Sequence, residues 1–241
     1  MSQIAHPNLS VIIAVRNGAR FLVQALESVF RQKHPAIQVI VVDGQSTDGS
    51  ERIAQSYSGV VYVRQETLGL ARARNLGLQL ARGEFVAFLD HDDLWSQNKL
   101  DIQLSFMHQH PHISYTTTHF EWFDDSGNPP PPHDLRRQHT GPQAAPTPGT
   151  LIARRSAFEQ NGLFAVDLTV ACDSEWFARA RRRGIASASI PHVLLRKRLH
   201  DANLSAHVER YRLEWFQVLK SLNTLDNVTS GLAEPFNPSA L

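Results

Sequence analysis

The sequence predicts an α/β fold with a mostly parallel central sheet flanked by helices. Two observations and one general rule predict it. Short β-branched apolar runs alternate with stretches of helical spacing from Leu9 to Leu89. Each strand-like run stops abruptly at polar residues. Strands that alternate with helices pair in parallel, and such sheets bind ligands at the carboxyl ends of their strands.

Leu9 to Val15 (LSVIIAV) reads as a buried strand, followed by Arg16-Asn17-Gly18. Phe21, Leu22, Ala25, Leu26, Val29 and Phe30 recur at helical spacing, and Pro35 closes that segment. Ile37 to Val42 (IQVIVV) is the second strand and ends in Asp43. Asp48 is a ready N-cap for a helix from Gly49 to Tyr57. Val60 to Val63 is a third strand. Leu70 to Ala81 is helical, with Gly83 as its stop. Phe85 to Leu89 is the fourth strand, running into Asp90-His91-Asp92-Asp93.

Gln97 to His110 reads as a helix with Leu100, Leu104 and Met107 on one face, and Ile113 to Thr118 as a strand. Asp124 to Pro148 is rich in Pro, Gly, Asp and His, and includes four consecutive prolines. It is expected to be a long mobile loop. Order resumes at Gly149 to Ala153, then a short helix to Gly162. Asp173 to Arg183 is a helix with Trp176, Phe177 and Ala180 inward and its arginines mostly outward. Ala186 to Ile190 and Val193 to Arg198 read as two strands. Val208, Tyr211, Trp215, Val218, Leu219 and Leu222 form one face of an amphipathic helix. One domain over 1–222 and a loose tail over 223–241 follow, with halves at about 9–118 and 149–205.

Composition narrows the function. The chain has 241 residues, 42% apolar, with 24 basic against 23 acidic residues. That balance carries no electrostatic footprint for nucleic acid. Cys172 is the only cysteine, so no intrachain disulfide is possible and a reducing cytoplasm is the expected compartment. No apolar run has the length of a membrane span, and MSQIAHPNLS has no signal-peptide core.

Three carboxylates in four residues at a strand end raise each other's pKa unless a cation sits among them. Asp90 and Asp92 are two residues apart, so in extended chain both face one way. Mg²⁺ takes one or two carboxylates plus phosphates, which suits a metal–diphosphate site; a solvated acidic turn is the alternative. Asp43 could accept hydrogen bonds from a nucleobase or ribose, or simply build a turn. Arg16 could stack on a base, or be a plain surface arginine. Arg72, Arg74 and Asn75 lie on the helix before the acidic strand end and could contact diphosphate or nucleotide, or simply decorate a face. Asp173 and Glu175 open a helix, where the macrodipole favours acids; a general base is the other reading of Asp173. Cys172 reads as a packed small residue. His200 could ligate a metal or pair with phosphate. His108, His110 and His112 read as a helix-end surface, because Pro111 interrupts them.

The order of these segments resembles the family 2 glycosyltransferases, which have the GT-A fold. SVIIAVRNGARFLVQALESVFRQ is similar to the family's first strand and helix, and QVIVVDGQSTDGS to its second-strand Asp and turn. GLARARNLGLQLARGEFVAFLDHDDLW resembles its helix, strand and DxD signature. GTLIARRSAFEQNGLF, CDSEWFARARRRG and LRKRLHDANLS resemble the acceptor-side, Glu-Asp and His-containing segments. Gly44 stands where a second acid often follows Asp43, Arg16 where an aromatic often stands, and Cys172 where a Glu usually precedes the catalytic Asp.

The resemblance implies inverting transfer from a nucleotide-diphosphate sugar, a UDP-sugar first, to the hydroxyl of a glycan, lipid-linked or other acceptor. It places Ala14, Arg16, Asp43, Arg72, Arg74, Asp90 and His91 around the nucleotide sugar. Asp92 and His200 would hold Mg²⁺ or Mn²⁺, and Asp173 would deprotonate the acceptor. Lipid-linked acceptors would bring the protein to the inner face of the membrane, and the C-terminal helix would pack on the body or on a second copy. A sugar-phosphate nucleotidyltransferase and an inert nucleotide-binding scaffold are the alternatives; VRNGARF is a poor match to the former's basic Gly-rich loop.

Overall fold

A computed structural model describes residues 8–32, 34, 37–124, 141–200 and 208–229. Eight strands form one sheet in the order β3-β2-β1-β4-β7-β6-β8-β5. The strands are β1 (Leu9–Val15), β2 (Ile37–Asp43), β3 (Val60–Arg64), β4 (Phe85–Asp90), β5 (Leu94–Trp95), β6 (Tyr115–Phe123), β7 (Ile152–Arg154) and β8 (Ser187–Arg198). The helices are α1 (Leu22–Phe30), α2 (Ser50–Gln55), α3 (Leu70–Leu80), α4 (Lys99–Gln109), α5 (Arg155–Asn161), α6 (Cys172–Arg182) and α7 (Val208–Thr229). The first four strands pair in parallel, as expected. The second half departs from that pattern: β7 is antiparallel to β4 and β6, and β5 is antiparallel to β8.

The period-2 pattern explains the layers. Ile12, Ile40, Val86 and Phe88 point to one face, under α3, α5 and α6. Val11, Ile13, Val39, Val41, Ala87 and Leu89 point to the other, under α1, α2 and α4. Both faces are covered, so the strands carry continuous apolar runs rather than alternation. Helix α3 comes especially close to the sheet at Gly77, where a Cβ would overlap the Ile12 side chain.

Several expectations need correction. Gly49 occupies the N-cap of α2, and Asp48 lies one residue earlier. Helix α3 ends at Leu80 with an extended Ala81. Gly83 is needed for something else: its N–H donates to Ser10 Oγ at 2.9 Å, and a Cβ there would stand 2.6 Å from the Ser10 nitrogen. Strand β6 runs on to Phe123. The two predicted C-terminal strands are one, β8, and its register with β6 slips where Pro191 interrupts the ladder. Helix α7 continues to Thr229, through the first part of the expected tail; residues 230–241 lie outside the described residues. Its buried face is narrower than the periodicity predicted, with Trp215 and Val218 packed on the core but Tyr211 and Leu219 exposed. Arg179 folds inward, its guanidinium on Glu175 and on the Leu163 carbonyl. Of the expected mobile loop, residues 125–140 lie outside the described residues. Its far end is held by Gln143, which exchanges both backbone hydrogen bonds with Phe120 at 2.8 and 3.0 Å.

Lys99 is fully buried in α4. It donates to Gln103 Oε1 at 2.5 Å and to the Thr150 carbonyl at 3.2 Å, with the Trp95 ring 5.2 Å away. Burial lowers its pKa well below the ordinary lysine value. Between that lowered value and about 10.4 the unfolded chain binds the extra proton, so this group makes stability rise with pH. Lys99→Met should be at least as stable as wild type at pH 7, and urea unfolding should show the difference moving towards wild type by pH 9. Gly77→Ala should cost about 1–3 kcal/mol by overpacking against Ile12, read by the same urea titration.

Candidate active site

The parallel register brings the predicted strand ends together. Val15 pairs with Asp43, Ala14 with Asp90, and Asp43 with Arg64. Above this rim the β1–α1 and β2–α2 loops lace into each other. Asn17 adopts a left-handed φ of 52°, which Asn tolerates better than most residues. Its side-chain oxygen accepts the Thr47 N–H at 2.9 Å, and its own N–H donates to Ser46 Oγ at 2.9 Å. Gly18 N–H donates to Ser50 Oγ at 3.0 Å, and Ala19 N–H to Asp48 Oδ2 at 2.9 Å. Asp48 therefore braces two loops. Its other oxygen accepts the Ser50 N–H at 2.9 Å, so the same carboxylate also caps the first turn of α2 from one residue before the N-cap.

Asp43 is 0% exposed. Its two oxygens accept the Ser46 N–H and the Tyr62 hydroxyl, each at 2.8 Å. It holds the β2–α2 turn in place, and any base contact would use the remaining lone pairs. Arg16 is exposed on the same rim. Ala14 lies on β1 between Val42 and Asp90. Gly18 lets the His91 ring lie directly against the loop, because a Cβ on Gly18 would fall on that ring.

The acid cluster answers the electrostatic question in the sequence: cations of the chain itself sit among the carboxylates. Arg74 Nη2 bonds Asp90 Oδ1 at 2.9 Å. Lys197 Nζ stands 3.2 Å from Asp93 Oδ2 and 3.9 Å from Asp90 Oδ2. Asp93 Oδ1 accepts the Arg198 N–H at 2.9 Å. Burial raises the Asp93 pKa, opposed by Lys197 and reinforced by Asp92 and Asp90. Burial works against the charge of Lys197, but Asp93, Asp90 and Asp92 outweigh it and raise that pKa. Asp92 is directed elsewhere. Its Oδ2 meets His200 Nε2 at 2.9 Å. Burial would raise the Asp92 pKa, yet the His200 hydrogen bond and the charges of His91 and Lys197 keep it low.

Arg74 joins this cluster to the second half of the chain. It is 3% exposed. Its other terminal nitrogen lies 3.7 Å from Cys172 Sγ at the start of α6. Burial opposes its charge; Asp90, Cys172 and Asp173 together raise its pKa above the ordinary value. Asp173 follows, partly exposed, with one oxygen accepting the Ser174 N–H at 2.7 Å. Cys172 is fully buried and burial pushes its thiol up to about 11, so it packs rather than reacts. Arg72 lies on the exposed side of α3 against Gly69, apart from Arg74. His108 packs edge-on to Phe85, and His110 stacks on Phe106, as a helix-end surface would.

Sequence reasoning missed Lys197. Its signal was present: the clustered acids demand a cation, and LRKRLH delivers one three residues before His200. Tyr62 had no such signal, because its hydroxyl reaches Asp43 across two parallel strands. Among the described residues no group of three or more His, Cys, Asp or Glu could hold a metal. The oxygen–nitrogen pair of Asp92 and His200 does fit a divalent ion that takes its other ligands from phosphate and water. No described helix is long and apolar enough to cross a membrane.

Known proteins resemble this chain in sequence and in fold. The putative teichuronic acid biosynthesis glycosyltransferase TuaG of Bacillus subtilis is 38% identical over 129 residues, which is 51% of this chain and 50% of TuaG. An uncharacterized glycosyltransferase of Rickettsia typhi is 29% identical over 236 residues, covering 90% of this chain and 73% of the relative. The chain thus spans about half the length of TuaG, and only 18% of another matched glycosyltransferase, from Rickettsia bellii. Among solved structures, S. aureus TarS 1-349 in complex with UDP-GlcNAc matches with TM-score 0.70 at 22% identity, over 83% of this chain and 61% of that one. The mannosyltransferase PcManGT from Pyrobaculum calidifontis, in complex with GDP-Man and Mn²⁺, matches with TM-score 0.68 at 22% identity, over 91% of this chain and 65% of that one. These likenesses show the GT-A fold. The profile of Glycosyl transferase family 2 matches residues 10–179, and the chain belongs to that family.

Proposed function

We propose that the protein transfers a sugar from a nucleotide-diphosphate sugar to an acceptor hydroxyl, with inversion, in cell-envelope polysaccharide or glycoconjugate synthesis. One observation carries the reading. Buried Arg74 ties the Asp90 end of the donor-side rim to the start of α6, which bears Asp173. That link supports one site shared by the donor acids and the base.

The roles follow from position. The laced loops around Asn17, Ser46 and Asp48, with Arg16 and His91 beside them, form the seat for the nucleoside. Asp43 holds the turn of that seat. Asp92 and His200 would hold Mg²⁺ or Mn²⁺, which when bound supplies positive charge to the departing diphosphate. Asp173 takes the proton of the acceptor hydroxyl. The acceptor oxygen attacks the anomeric carbon from the face opposite the leaving group. The C1–O bond breaks as the C1–acceptor bond forms, and its electron pair leaves on the nucleoside diphosphate. Lys197 and Arg74 keep the neighbouring carboxylates neutralised, so the arriving diphosphate meets less repulsion. TuaG and GgaB of Bacillus subtilis are named for teichuronic and minor teichoic acid biosynthesis, which supports a cell-envelope acceptor. A UDP-sugar is the first donor to try.

A panel of UDP-, GDP- and dTDP-sugars, each with and without Mn²⁺, tests the reading by thermal shift and by nucleotide release. At least one sugar should stabilise the protein with Mn²⁺ and be slowly hydrolysed, water standing in for the acceptor. Silence across the whole panel would remove the donor assignment. Asp92→Asn should weaken Mn²⁺-dependent donor binding by about tenfold or more. Asp173→Asn should bind donor within about twofold of wild type and lose about 10²–10⁴-fold in turnover. Gly18→Ala should displace the His91 ring and weaken donor binding with the fold intact, measured by titration calorimetry alongside a melting curve.

A further inference from the structure

Glu214 of α7 is 7% exposed, and its carboxylate faces the strand of chain that leads into α6. The Thr169 N–H donates to both oxygens, at 2.9 and 3.0 Å. Val170 N–H and Ala171 N–H donate to Oε2 at 2.8 and 2.9 Å. Arg210 steadies the arrangement, with Nε 3.2 Å from Oε1 and Nη2 2.7 Å from Thr169 Oγ1. Three successive backbone donors therefore converge on one carboxylate. Helix α6 has Ala171 as its N-cap and no side-chain cap hydrogen bond of its own. Besides its own Asp173 and Glu175, that N-terminus meets an anion from α7.

The same face of α7 grips the chain just beyond Asp173. Tyr211 lies three residues before Glu214, which puts both on one side of the helix. Its hydroxyl is 3.0 Å from Ser174 Oγ, and Ser174 N–H fixes one oxygen of Asp173. Contacts from α7 thus flank Asp173 on both sides, at 169–171 and at 174. A surface ion pair would not need three successive backbone donors. An arrangement that holds residues 169–171 rigid is what a base must have to meet an acceptor hydroxyl within a few tenths of an ångström.

We propose that Glu214 is a positioning residue for the proposed base: it sets the backbone from which Asp173 reaches the acceptor oxygen. This rests on Asp173 as the proton acceptor. Glu214 touches neither donor nor acceptor in this scheme. Its loss should therefore lower turnover and leave donor affinity alone. The nest of three N–H groups is also a vacancy that a small carboxylate can fill once the side chain is cut back.

The test is steady-state nucleotide release from the panel sugar that gives the largest signal, for wild type, Glu214→Ala, Glu214→Gln and Asp173→Asn. Glu214→Ala should lower kcat by about tenfold to a hundredfold, with the donor KM within about twofold. Sodium formate should restore a large part of that kcat in Glu214→Ala, and should do nothing for wild type or Asp173→Asn. Glu214→Gln should fall between, because its amide group faces donors that want an oxygen. If Glu214→Ala does not fold, the kcat against KM split in Glu214→Gln decides. Wild-type turnover in the Glu214 variants, with Asp173→Asn inactive, would overturn the positioning role and leave the base standing. A loss that tracks the melting temperature, spares neither kcat nor KM and ignores formate would assign Glu214 to stability alone. Full activity of Asp173→Asn would overturn the base itself.

Discussion

The structure turns on one buried guanidinium. Arg74 sits on α3, a helix brought close to the sheet by Gly77, and is nearly inaccessible to solvent. A cation there is costly unless it is paired and hydrogen-bonded. Its partners come from opposite ends of the site: Asp90 closes β4, and Cys172 opens α6 with Asp173 beside it. Satisfying one charge therefore fixes the distance between the donor-side rim and the helix that carries the proposed base. The halves of the chain, which differ in strand direction, are joined by this demand as well as by the β4–β7 pairing.

The acid cluster is a second case of the same logic. Asp90 and Asp93 are neutralised by Arg74 and Lys197. Asp92 is left to His200, where β8 ends. Strand β8 reaches that point because it pairs antiparallel with the two-residue β5, just after the acids. The carboxylates thus divide by role. Those with arginine or lysine partners build the wall, and the one with an imidazole partner presents an oxygen–nitrogen pair to the rim.

Much of this was legible in the sequence, for physical reasons. The first four strands are buried on both faces, so their apolar runs are unbroken and their ends abrupt; the rim of Arg16, Asp43 and Asp90 follows from parallel pairing alone. The second half was harder. Antiparallel and parallel neighbours of β6 leave no local trace, and Pro191 made one bulged strand look like two. Gly83 was misread because its residue type fits a local motif, while its role comes from a contact about 70 positions away with Ser10; Asp48 serves the start of α2 but also makes a contact about 30 positions away with Ala19. Glu214 was invisible for the same reason. Its partners are backbone N–H groups, which every sequence has.

The most direct measurement is the coupling between Arg74 and Asp90, from urea unfolding of wild type, Arg74→Met, Asp90→Asn and the double variant. Asp90 is 27% exposed and Arg74 3%, so an unpaired charge costs more at Arg74. Asp90→Asn alone should be strongly destabilising, and the double variant should cost less than the sum of the single variants by about 1 kcal/mol or more. Additivity within about 0.5 kcal/mol would contradict it, because the guanidinium would then not depend on the carboxylate that closes β4.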